Sequence, residues 1–209
     1  MPVLWSMVVA VIYLVRHGQS TTNALGLLVG RSDPALTDHG RRQARSLHGW
    51  LDGVERVLTS PLQRARETAA LAMPHLEAEV DHAFIEVDYG DLDGTPLDQV
   101  SDEQWRAFES DHTHPLGNGE SLQAVDERVH ARLNALAADT TSLLHDPDRH
   151  VLIVSHVSPI KSALTWAMGV DGSAAWRMRI DNGAVSVIGA RRGTATLVRA
   201  NVVPPLAQG

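Results

Sequence analysis

The sequence predicts an α/β fold, a three-layer α/β/α sandwich around a mostly parallel central sheet with an antiparallel edge. Two apolar runs carry that prediction, Val11-Ile12-Tyr13-Leu14-Val15 and Val151-Leu152-Ile153-Val154, each followed within two residues by a histidine, His17 and His156. Uninterrupted runs of this kind mark strands buried on both faces, as in parallel sheets covered by helices. The third observation is order. Strand-like and helix-like segments alternate through most of the chain, and two strand-like segments follow one another only near its end.

Taken in order, Val8 to Val15 reads as the first strand and residues 1–7 as a tail, without the basic region or cleavage site of a signal peptide. Thr37 caps a helix running through Gln43, Ala44 and Leu47 to about Leu51. Arg56 to Thr59 is a short strand leading into Ser60-Pro61-Leu62-Gln63-Arg64, where Ser60 is placed as N-cap, Pro61 opens the helix and Gln63 completes a capping box. Arg64 then lies on the first turn. Glu79 to His82 forms another strand, and Ser101-Asp102-Glu103-Gln104 repeats the capping box before a helix bearing Trp105 and Phe108. From Ser121, an N-cap, the positions Leu122, Val125, Val129, Leu133, Leu136 and Leu143 recur at helical spacing and predict the longest helix. A strand through Val154 reaches His156, after which Ser158-Pro159 cap and start a further helix. Val185 to Ile188 and Thr196 to Val198 close the sheet as a hairpin around Arg191-Arg192-Gly193, and residues 202–209 read as a second tail.

The chain has 209 residues, enough for one well-packed domain, and its hydrophobic and charged fractions of 44% and 21% are those of a globular protein. A net charge of -7 argues against a nucleic-acid partner, so any anionic substrate needs a local cluster of cations. The apolar start is too short to cross a bilayer, and no membrane partner is expected. With no cysteine there is neither a disulfide nor a thiolate metal site, which fits a cytoplasmic location. A monomer or homodimer is expected.

Parallel strands bring their carboxyl ends to one edge, so Arg16 and His17, Arg64, and His156 converge there. Each alone is unremarkable, since an arginine at a helix start is commonly a solvated charge. Together, two arginines and two histidines describe a phosphate pocket in which guanidinium groups hold the oxygens and His17 is the candidate nucleophile. His112 and His114 sit in a loop with no further ligand spacing, and no metal or cofactor is expected. Lys161, the single lysine, reads as a solvated or phosphate-proximal charge.

The chain resembles the histidine phosphatase superfamily in its phosphoglycerate mutase-like, phosphatase branch. The resemblance rests on Arg16-His17-Gly18 with Asn23, Leu36-Thr37 with Gly40, Ser60-Pro61 with Arg64-Ala65 and Thr68-Ala69, Glu86 with Tyr89-Gly90 and Gly94, Gly119-Glu120-Ser121, and Ser155-His156. These motifs occur in the family's order over most of residues 11–190. The resemblance implies one histidine phosphatase domain over residues 1–209, with 86–120 as a lid-like insertion. It implies that His17 is phosphorylated, that Arg16, Arg64 and His156 bind the phosphoryl group, that Asn23 adds a hydrogen bond, and that Glu86 is the proton donor. Ser60, Glu120, Ser121 and Val157 are expected to support these groups or touch substrate.

Two reactions fit the family: hydrolysis of a small phosphorylated metabolite, and cofactor-dependent mutase phosphotransfer. A catalytically silent phosphate-binding module is a third reading, although His17, Glu86 and His156 are all present. The segment after Glu86 is short and acidic, with Asp88, Asp91, Asp93, Asp98, Asp102, Glu103, Glu109 and Asp111 opposed by Arg106. That balance predicts a lid that disfavours anionic leaving groups and points to a phosphatase. Trp105 and Phe108 either pack internally or give the leaving group an apolar wall.

Overall fold

Alternation along the buried strands explains how the sheet is covered twice. In β1 (Ala10–Arg16) Ile12 and Leu14 face one side and Tyr13 and Val15 the other; in β4 (His150–Ser155) Val151 and Ile153 oppose Leu152 and Val154. One face packs on α5 (Leu122–Ala138) through Val125, Val129 and Leu133, and on α6 (Val157–Met168) through Ile160 and Leu164. The other packs on α3 (Gln63–Ala72) through Ala65, Ala69 and Ala72, with Leu47 after α2 (Asp38–Ser46). The expected three-layer sandwich follows. The computed structural model describes residues 10–138, 150–191 and 194–206.

The six-stranded sheet also contains β2 (Val54–Thr59), β3 (Ala78–Val80), β5 (Val185–Arg191) and β6 (Thr194–Val202), in the order β3-β2-β4-β1-β5-β6. β3, β2, β4 and β1 are parallel, whereas β5 and β6 run antiparallel. Arg16 pairs with Ser155 and Thr59 with Val154, so three strands end level and deliver His17, Ser60 and His156 side by side. Because β5 is antiparallel to β1, its entry at Asn182-Gly183 reaches that same edge, where Gly183 N–H donates to the Arg16 carbonyl at 3.0 Å.

Several boundaries differ from the sequence reading. The helix after Thr37 stops at Ser46 and tightens into a 3₁₀ turn at His48–Trp50. Ser60 is not an N-cap: Leu62 is, in extended conformation and without a side-chain cap bond, and the Gln63 N–H is taken by Asp33 at 2.6 Å. Likewise α6 begins at Val157 rather than after a Ser158 cap, with His156 in the cap position. The reason is shared, since each junction is pulled into the edge site and a side chain from another segment satisfies the helix amides. β6 runs through Val202 and Pro204 is buried, so packed chain extends into the segment read as a tail. The expectations for residues 1–9, Leu143 and the turn at 192–193 lie outside the described residues.

Ser101 caps α4 (Asp102–Ser110) with the expected capping box, and Ser121 accepts from the Ala124 N–H at 3.2 Å to cap α5. Between Glu86 and Leu122 the chain folds over the edge of the sheet and builds a small core from Val100, Phe108, Leu116 and Leu122 together with Leu28 from the segment after β1.

Candidate active site

His17 leaves β1 directly above the sheet edge and is 3% exposed. Its Nδ1 lies 2.7 Å from the Gly18 carbonyl, which can only accept, so the ring proton sits on Nδ1 and the lone pair on Nε2. Arg64 Nε donates to that Nε2 at 3.2 Å. The Arg64 fork is held by two loop carbonyls, Ser32 at 2.6 Å and Gly30 at 2.7 Å, which leaves two of its five N–H donors unassigned. Burial, followed by the Arg64 and Arg16 guanidinium charges, holds His17 well below the usual imidazole range, so the ring is neutral at pH 7.

Arg16 extends from the end of β1, donates from Nη1 to the Ile180 carbonyl at 2.7 Å, and keeps a buried Nε without a partner. His156 stands against His17 with ring centroids 5.0 Å apart. Its Nε2 is 2.7 Å from Ser60 Oγ, and that oxygen already accepts from the Leu62 N–H at 3.3 Å. His156 Nδ1 is buried and has no partner among the described residues. Burial, then Arg64 and His17, lowers the His156 pKa as well. Asn23 Oδ1 accepts from Ser20 and from Asn182, and Asn182 also donates to the His17 carbonyl at 3.2 Å.

Glu86 enters from the segment after β3 and is 4% exposed. Its Oε1 accepts from the N–H groups of Val87 and Ser158, at 2.9 and 3.2 Å, and its Oε2 from that of Val157 at 3.0 Å. The carboxylate thus occupies the amides that open α6, a favourable place for negative charge. With two lone-pair sites on each oxygen, the open site is on Oε2. The loop after His17 lies close on the start of α2, because a Cβ on Gly18 would collide with the Gly40 backbone and one on Gly40 with the Gln19 backbone.

A family model described as the histidine phosphatase superfamily (branch 1) matches residues 12–203. The chain belongs to that superfamily. The adenosylcobalamin/alpha-ribazole phosphatase of Escherichia coli is 31% identical over 89% of this chain and 93% of that protein. A probable phosphoglycerate mutase, GpmB, of Cronobacter sakazakii is 33% identical over 84% of this chain and 82% of its own length. The crystal structure of a putative alpha-ribazole-5'-P phosphatase from Escherichia coli superposes with a TM-score of 0.80 at 30% identity, over 96% of this chain and all of that one.

In this histidine phosphatase the phosphate-side residues open into a cavity of about 270 Å³. Arg16, His17, Asn23, Glu86 and Val157 line it, whereas Arg64, His156 and Ser60 support it from behind. Glu120 lies away from the cavity: it pairs with Arg128 at 2.9 Å and Arg31 at 3.2 Å and joins the cap segment to α5. None of the eight acids expected to screen anionic substrates lines the cavity. Asp93 accepts from Gly30 and Ser32, Asp111 from Thr113, Asp91 from Asn118, and Asp102 faces solvent beside Arg106. The cap instead contributes Tyr89, Leu97, Trp105, Phe108 and His112, so its inner wall is largely apolar. His112 faces Asp126 at 2.7 Å, and among the described residues no three His, Cys, Asp or Glu side chains are grouped so that they could hold a metal ion. No helix among the described residues is long and apolar enough to cross a membrane.

Sequence reasoning missed Asn182, Trp176 and the pocket-facing position of Lys161. The first had a usable signal: Asp181-Asn182-Gly183 reads as a turn before an antiparallel strand, and such a turn must reach the edge where β1 ends.

Proposed function

We propose that this protein is a phosphomonoester hydrolase that works through a phosphohistidine at His17, on a small phosphorylated metabolite in the cytoplasm. The observation that carries the reading is the pairing of a neutral His17, its lone pair on Nε2, with Arg64, Arg16 and His156 around the same point. Those cations and donors match the equatorial oxygens of a phosphoryl group. Nε2, released from the Arg64 Nε–H, attacks phosphorus in line, and the P–O ester bond breaks as Glu86, entering the step protonated on Oε2, gives that proton to the departing alkoxide. The Glu86 carboxylate then takes a proton from water, whose oxygen attacks phosphorus and breaks the P–N bond. Inorganic phosphate is released, and neutral His17 and protonated Glu86 are regenerated.

Hydrolysis is favoured over mutase phosphotransfer by the cap. Its only arginine, Arg106, is exposed and paired with Asp102, and its inward-facing histidine, His112, is engaged by Asp126, so the cap turns no arginine or lysine inward to hold a second phosphate. The apolar wall of Leu27, Leu97, Trp105, Phe108 and Trp176 suits a leaving group with a hydrocarbon or ring body. Release of inorganic phosphate from a panel of phosphomonoesters, including alpha-ribazole phosphate, phosphoserine and 3-phosphoglycerate, tests the reading. Phosphate release is expected; exchange between two phosphoglycerates without net release would assign the mutase reaction instead.

A further inference from the structure

Beyond the phosphate-side residues, the cavity carries a second polar cluster with no role in the chemistry above. On α6, Ser158, Lys161 and Ser162 have the spacing of one helix face, and all three line the cavity. Ser158 N–H holds Glu86, so Lys161 and Ser162 stand one turn, about 5.4 Å, farther along the same wall. Lys161 is half-buried, with Nζ 5.6 Å from the centre of the Trp176 ring, and it makes no ion pair among the described residues. Ser162 Oγ is buried without a partner, although a helical serine commonly back-bonds to a carbonyl one turn earlier. Trp176 Nε1, an obligate donor, is also buried and unpartnered. Asp126, the nearby cavity acid, is engaged by His112.

Resting on the phosphatase reading, we propose that Lys161, Ser162 and Trp176 form a carboxylate-binding subsite that selects substrates whose leaving group bears one acidic function. The cluster offers one positive charge and two unpaired donors to a group that only accepts. A neutral apolar tail would leave those donors unsatisfied, and a second phosphate dianion would keep an unmatched charge beside an apolar wall. The inference reverses the selectivity predicted from the acidic composition of the cap, because none of those eight acids lines the cavity whereas Lys161 does.

The test uses two matched pairs, 3-phosphoglycerate with glycerol 3-phosphate, and 4-carboxyphenyl phosphate with phenyl phosphate. Wild-type protein is expected to prefer the carboxylate member of at least one pair. Lys161→Met keeps the aliphatic stem against Trp176 and should lower that preference in kcat/KM by about tenfold or more, mainly through KM, as expected for a hydrogen bond to a charged group. Lys161→Arg should restore most of it, and Ser162→Ala should reduce it less. Equal losses on both members of both pairs, or no wild-type preference in either, would overturn the subsite while leaving the phosphatase reading intact. A wild type that turns over none of the four esters or p-nitrophenyl phosphate would overturn the phosphatase reading; calorimetric binding of the same pairs to wild type and Lys161→Met then decides the subsite by the same ratio.

Discussion

Arg64 donates from Nε to Nε2 of His17 across 3.2 Å, while Gly18 fixes the proton of the same ring on Nδ1. One buried guanidinium therefore marks the nucleophilic nitrogen, adds its charge to the burial that keeps the ring neutral, and has donors left for the phosphoryl oxygens. A lysine at position 64 could reproduce the charge but not the planar fork that also spans Gly30 and Ser32. Arg64→Lys should lower kcat/KM on any phosphomonoester by roughly 100- to 1000-fold, the usual cost of losing a preorganised oxyanion donor. It should also lower Tm, because the buried Gly30 carbonyl and the part-buried Ser32 carbonyl lose their donors. Steady-state kinetics with a thermal melt checks both.

Glu86 is held by three backbone amides with one open site on Oε2, so its contribution should depend on how badly the leaving oxygen needs a proton. Glu86→Gln should slow hydrolysis of alkyl phosphates by roughly 100- to 10,000-fold and that of p-nitrophenyl phosphate far less, in line with the range of general acid catalysis. Equal losses on the two ester types would remove Glu86 from the acid role.

His17 and His156 both have pKa values pushed below the ordinary imidazole value, first by burial and then by arginine. The folded protein thus binds fewer protons than the unfolded chain, and the stability this gives is present above the unfolded pKa near 6.5 and lost as pH falls toward the folded values. Tm of the ligand-free protein should decline as pH drops from about 7 through about 6.5 to 5, and His17→Asn should flatten that decline. The acid limb of kcat/KM should likewise lie below about 6.5, since His17 stays neutral there. A Tm that is constant or rises over this interval would contradict the assignment of two neutral buried rings.

Strand ends were legible because a parallel sheet turns sequence position into spatial position. Arg16, His17 and His156 follow apolar runs, and the register Arg16 to Ser155 brings them together. Helix starts were less legible. Ser60-Pro61-Leu62-Gln63 has a capping-box spelling, yet Ser60 turns to His156 and Asp33, thirty residues earlier, reaches the Gln63 amide. A local pattern cannot reveal a tertiary competitor for the same hydroxyl. The cap shows the same limit for charge, because eight acids and one arginine suggested an electrostatic screen whereas side-chain direction produced an apolar wall with Lys161 behind it. Neutralising Asp98 and Asp102 as asparagines should accordingly leave the ratio of rates on anionic and neutral esters unchanged at low salt, measured as the kcat/KM ratio.

The central claim is that the phosphoryl group passes through His17, and trapping the intermediate tests it most directly. Protein mixed with labelled phosphomonoester, quenched in alkali within the first turnovers and digested, should yield a phosphorylated peptide containing His17, with the label lost on acid treatment. His17→Ala should give no such peptide and no turnover while keeping the wild-type far-UV circular dichroism. Label on another residue, or full turnover by His17→Ala, would contradict the account.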